Sequence, residues 1–140
     1  MWRWATQRRW SPTPGNLAPM NGIATYSLTA LDTADTVGLA EFYSSITGWA
    51  IRPYDDTEWI ELESGGGATI AFQEVADHNP PVWPGTDHPQ QLHLDFDVAD
   101  LDEGEEQILA IGAEKAEFQP GTTFRVYLDP AGHPFCLVLA

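Results

Sequence analysis

Leu92-His93-Leu94-Asp95-Phe96-Asp97-Val98 alternates without a break, so that four apolar side chains share one face of an extended segment and His93, Asp95 and Asp97 share the other. An imidazole flanked by carboxylates at period two can move a proton, orient a substrate or hold a cation, because the unperturbed ring titrates near neutrality. His93 is therefore the candidate catalytic residue, as a general base or as a hydrogen-bonding pocket residue. Asp95, on the same face, is the group that would orient the ring or hold a ligand's positive charge. Cys136 lies in the apolar run Phe135–Leu139, where a thiol reads as a small packed hydrophobe or as a nucleophile.

Neighbouring strands extend this candidate wall. In Thr123–Asp129, Phe124, Val126 and Leu128 face one way and Arg125 and Tyr127 the other; in Glu58–Glu63, Ile60 and Leu62 oppose Trp59 and Glu61. If the apolar rows pack under helices, the ligand-binding set is Trp59, Glu61, His93, Asp95, Arg125, Tyr127 and Cys136. Trp83, held between prolines in a loop, is placed to close over the mouth. Such an aromatic and charged wall suits planar or cationic molecules through stacking and cation–π contact. His78, His88 and His133 sit beside Asn or Pro in loops and read as solvated turn residues. Gly65-Gly66-Gly67 has no Lys-Ser/Thr and helix after it, so it reads as a hairpin turn and not as a phosphate cradle.

The elements that must position these residues come in two copies. Thr33-Ala34-Asp35 recurs as Val98-Ala99-Asp100, an offset of 65 residues, and each tripeptide ends a strand-like run and opens a helix-like one. Asp35 caps a predicted helix to Thr47 with Leu39, Phe42, Tyr43 and Ile46 as its stripe and Gly48 as its stop. Asp100, with Glu103 as a capping box, opens a helix to Ile111 with a thinner stripe of Leu101, Ile108 and Leu109. Three short strands come after each helix: Trp49–Tyr54, Thr57–Glu63 and Ala68–Gln73, then Lys115–Phe118, Thr123–Asp129 and Phe135–Leu139.

The expected fold is α+β: two tandem βαβββ units, residues 23–74 and 90–140, forming one curved sheet with a concave ligand cavity. Prolines 80, 81, 84 and 89 forbid a central strand or helix in the connection, residues 75–89. Both units belong to one domain, residues 23–140, because one unit alone has too few elements to enclose its apolar face. Residues 1–22 read as a flexible N-terminal extension. That head carries three of the six Lys and Arg residues, three tryptophans and a Ser-Pro-Thr-Pro-Gly stretch, with no apolar run suited to export or membrane insertion.

The chain carries a formal charge of −15, which argues against nucleic acid and anionic membranes as partners. Cationic or neutral small molecules are favoured. A single cysteine excludes an internal disulfide and suits a reducing cytoplasm.

The paired βαβββ order, Phe42-Tyr43 followed by Gly48-Trp49, the strand Leu92-His93-Leu94-Asp95 and the closing Asp129-Pro130-Ala131-Gly132-His133-Pro134-Phe135-Cys136 resemble the glyoxalase/bleomycin-resistance/extradiol-dioxygenase superfamily, the vicinal oxygen chelate proteins. The connection Pro80-Pro81-Val82-Trp83-Pro84, with Pro89-Gln90-Gln91-Leu92-His93, is similar to an uncharacterised glyoxalase-like branch. The resemblance implies a divalent-metal site of four side chains, two from each unit. Carried over by spacing, these positions are Leu28, Ala71, His93 and Cys136. Leu28 and Ala71 cannot coordinate, and His93 alone is a conventional ligand, so no cofactor is expected, a divalent metal entering only if the register shifts by one residue and brings in Asp95 or Gln73. The resemblance and the composition together imply a cytoplasmic homodimer that binds a small organic molecule, cationic aromatics above all, in the concave sheet. The alternative is a metal-dependent lyase, isomerase or dioxygenase acting on a small carbonyl or aromatic compound.

Overall fold

Two aspartates start the two helices. In a computed structural model, which describes residues 22–140, Asp35 caps α1 (Thr36–Thr47) by accepting from the Gly38 amide at 2.9 Å. A Cβ on Gly38 would lie 2.3 Å from the capping carboxylate, so only glycine lets the cap fold back this tightly. Gly48 ends the helix at φ 71, in the left-handed region. Asp100 caps α2 (Leu101–Ala110) through the amides of Asp102 and Glu103. The capping box is half formed, because Glu103 turns instead to Gln107. The expected N-terminal extension falls outside the described residues, apart from Gly22.

Each half runs βαβββ. The first contains β1 (Leu28–Thr33), α1, β2 (Ala50–Ile51), β3 (Trp59–Glu63) and β4 (Thr69–Glu74); the second contains β5 (Leu94–Val98), α2, β6 (Glu114–Lys115), β7 (Phe124–Leu128) and β8 (Pro134–Leu139). The strand before β3 and the strand before β7 are two-residue stubs, shorter than their sequences suggest. β1 pairs in parallel with β4, as β5 does with β8, and the remaining neighbours are antiparallel.

The expected single curved sheet is not what forms. There are two separate four-stranded sheets, ordered β1-β4-β3-β2 and β5-β8-β7-β6, with β1 and β5 as outer strands that do not pair with each other. Side chains and turns occupy the junction in place of a ladder. His133, in the turn before β8, donates from Nε2 to the Asp32 carbonyl of β1 at 2.6 Å. A concave cavity enclosed by one sheet is corrected with it: a cavity of about 510 Å³ lies at the junction under the connecting segment.

A single core nevertheless joins the halves. Tyr43 of α1 stacks on Phe72 of its own sheet and meets Phe96 and Phe135 of the other. Its hydroxyl donates to buried Asp129 at 2.7 Å. On α2 the stripe is Leu101, Gly104 and Ile108, while Leu109 is exposed. Gly104 lets that helix settle on its sheet, since a Cβ there would stand 3.0 Å from Leu137 and 3.2 Å from Val98.

Candidate functional site

The 65-residue offset persists in the strand register. Ala30 pairs with Ala71 in the first sheet and Asp95 with Cys136 in the second, so Asp95 and Cys136 stand side by side on adjacent parallel strands. Val126 of β7 is opposite Cys136, which puts all three on the sheet face away from α2. His93, just before β5, reaches the same face and brings Nε2 to 3.4 Å from the Asp95 carboxylate. One donor atom from each of His93, Asp95 and Cys136 lies within 4.8 Å of the others.

This trio sits on an apolar bed. Ala116, Val126 and Cys136 are buried together, and Trp83, Phe124 and Val138 pack against them. Trp83 thus comes from the connecting segment to the side of the sheet that carries Cys136, with the Phe118 ring 5.9 Å from its own. Burial, and then the charge and hydrogen bonding of Asp95, push the Cys136 thiol up to about 12. Without a metal the sulfur therefore keeps its proton at neutral pH and shares it with Asp95.

Two expected members of the wall face the other way. Arg125 donates to Asp102 at 2.6 Å and to Glu105 at 3.0 Å, and Tyr127 donates to Glu105 at 2.7 Å, all on α2. Their placement on the ligand face is reversed, and the reason is the repeat itself. Arg125 and Tyr127 occupy the places that Ile60 and Leu62 hold in the first sheet, beneath a helix. Lys115 joins them at Glu105, 2.8 Å away. Burial opposes ionisation of Glu105, but hydrogen bonds from Lys115, Tyr127 and Arg125 prevail and hold its carboxyl down at about 2. Burial and the Glu105 contact push the Tyr127 hydroxyl well above its ordinary range.

Trp59 and Glu61 do share the helix-free face of their own sheet. There Trp59 donates to Glu61 at 2.8 Å and Arg52 pairs with the same carboxylate at 2.8 Å. They are on the first sheet and the His93 trio is on the second. His133 and His78, read as solvated turn residues, are instead half-buried and bonded to backbone carbonyls at the junction.

The donor set suits a divalent metal of borderline softness. One imidazole, one carboxylate and one thiolate make three protein ligands of a kind that catalytic zinc sites use, with a fourth position left for water or substrate. Counting only the four positions implied by spacing missed Asp95. It stands one register step along β5, beside Cys136, and parallel pairing is the signal that finds it.

A family model described as a glyoxalase-like domain matches residues 29–138. Among solved structures, a glyoxalase/bleomycin resistance protein/dioxygenase family enzyme from Burkholderia phytofirmans PsJN is 21% identical, with a TM-score of 0.62, covering 83% of this chain and 98% of that one. The fosfomycin resistance protein FosX from Listeria monocytogenes is 18% identical, with a TM-score of 0.63 and coverages of 85% and 95%. A glyoxalase-related enzyme from Fulvimarina pelagi is 23% identical, with a TM-score of 0.57 and coverages of 81% and 86%. No curated protein sequence matches. At these identities the structural likenesses establish the fold alone.

Proposed function

The chain belongs to the glyoxalase-like domain family, within the glyoxalase/bleomycin-resistance/dioxygenase superfamily, and on that premise we propose that it is a metal-dependent enzyme acting on a small carbonyl or aromatic compound. The observation that carries this reading is the convergence of His93, Asp95 and Cys136 donors within 4.8 Å on one sheet face. A bound metal would supply Lewis acidity, polarising a substrate oxygen or lowering the pKa of water. The chain's own residues do the rest. His93, Asp95 and Cys136 would hold the metal, Cys136 giving up its proton on ligation, and Trp83 with the apolar bed covers one side of the trio. Similarity to a fosfomycin resistance protein supports a small organic substrate. The proposal includes a cytoplasmic homodimer, which rests on the superfamily resemblance and the single cysteine.

Elemental analysis of protein purified without chelator tests it. About one equivalent of Zn, Fe, Mn or Ni is expected, falling away in His93→Ala and in Cys136→Ala. Metal-free protein that takes up no metal on titration would leave the second reading, ligand sequestration without chemistry. That reading is favoured by one observation: Leu28 and Ala71, at the corresponding positions of the first unit, offer no donor atom.

A further inference from the structure

The junction cavity is lined from both faces of β1: Ala30 and Asp32 come from the helix-free face that carries Trp59 and Glu61, and Leu31 from the face under α1. None of Trp59, Glu61, Trp83, His93, Asp95, Arg125, Tyr127 or Cys136 lines it. Its volume of about 510 Å³ is that of a small-molecule site, and its walls come from both units and the connecting segment. Leu31, Tyr43, Leu94 and Pro134 provide an apolar floor. Three carboxylates stand among the polar side chains that line it, beside three imidazoles and the amides of Asn79 and Gln91.

Asp32, Asp77 and Asp87 line the cavity and enter no ion pair among the described residues. The three basic side chains of the described chain, Arg52, Lys115 and Arg125, are all engaged with Glu61, Glu105 and Asp102 elsewhere. The imidazoles add to this. His78 Nε2 is bonded to the Ala131 carbonyl at 2.9 Å and His133 Nε2 to the Asp32 carbonyl at 2.6 Å. A carbonyl only accepts, so each Nε2 carries its hydrogen, and a neutral ring then offers a lone pair at Nδ1. The two rings lie 5.0 Å apart, fixed in orientation by these bonds.

We propose that this cavity is a second binding site, specific for a small organic ammonium ion: an N–H-rich positive head among Asp32, Asp77, Asp87 and the imidazoles, with an apolar body on Leu31, Tyr43 and Leu94. An anion of the same shape meets carboxylates with no Lys or Arg of the described residues to offset them. A neutral isostere lacks the charge. The site is independent of the metal-ligand trio.

Calorimetric titration of the full chain with benzylammonium, benzyl alcohol and benzoate tests this. Benzylammonium is expected to bind saturably at one site per chain, with benzyl alcohol weaker and benzoate undetected. Asp77→Asn/Asp87→Asn, both at exposed loop positions, is expected to weaken benzylammonium by about tenfold or more without shifting the melting temperature. His93→Ala is expected to leave it unchanged, which separates this site from the proposed metal centre. Benzoate or benzyl alcohol binding as tightly, benzylammonium failing to saturate, indifference to the double substitution, or loss of binding in His93→Ala would each overturn the proposal.

Discussion

Cys136 shows how one residue's chemistry depends on what occupies the site. A thiol pushed up to about 12 by burial and by Asp95 is a poor nucleophile at neutral pH, yet a divalent cation at the same point would take its proton's place. In the metal-free protein Cys136 is therefore expected to resist iodoacetamide at pH 8 and to label rapidly only in denaturant. Mass spectrometry of the alkylated chain reads this directly, and fast labelling of the folded protein would contradict the thiol's burial. The linkage has a definite sign. A group whose folded pKa is raised contributes stability below its unfolded value near 9, and that contribution fades as pH climbs toward 12. Of this site the sequence made His93, Asp95 and Cys136 visible as types. It did not show that Asp95 rather than Leu28 or Ala71 would stand beside Cys136, because that adjacency is a matter of strand pairing.

At the scale of elements, α2 and β7 are joined by charged and hydrogen-bonded side chains. Glu105 gathers Lys115, Arg125 and Tyr127, with its carboxyl held down at about 2 after burial is overcome. A depressed carboxyl stabilises the fold above its unfolded value and loses that contribution as pH falls through the folded one. Melting temperature is thus expected to drop between about pH 4.5 and 2, and Glu105→Gln to flatten that part of the profile. Since the network is partly open to solvent, the substitution is expected to cost about 1 kcal/mol at neutral pH, read by urea unfolding. An unchanged acid limb in Glu105→Gln would show that the contacts contribute nothing. The face of β7 was legible in the sequence after all. Alternation alone leaves two choices for Arg125 and Tyr127, and polarity favours the solvent side. Extending the 65-residue offset from Ile60 and Leu62 would have placed both under α2.

Across the whole molecule, what had to be learned from structure is how the two units meet. Helix caps, stripes and strand order come from local periodicity. Whether β1 and β5 hydrogen-bond to each other depends on contacts far apart in the chain, and the sequence carries no pattern for it. The observed joint is a side-chain one. Tyr43 reaches from α1 to Asp129 at the end of β7, and Asp129 also accepts the amides of Ala131 and His133 in the turn that sends His133 back to Asp32. Burial pushes the Asp129 carboxyl up, and the Tyr43 hydroxyl is among the donors that keep it ionisable. Tyr43→Phe removes that donor while leaving the ring stack in place, so about 2 kcal/mol of stability is expected to be lost at neutral pH. The penalty should shrink as pH falls, because a protonated Asp129 no longer needs the donor. Chemical denaturation at two pH values checks both the size and the direction. A loss that is the same at acid and neutral pH would mean that the hydroxyl's contribution does not depend on the charge of Asp129, and no loss at all would mean that ring packing alone holds the two halves together.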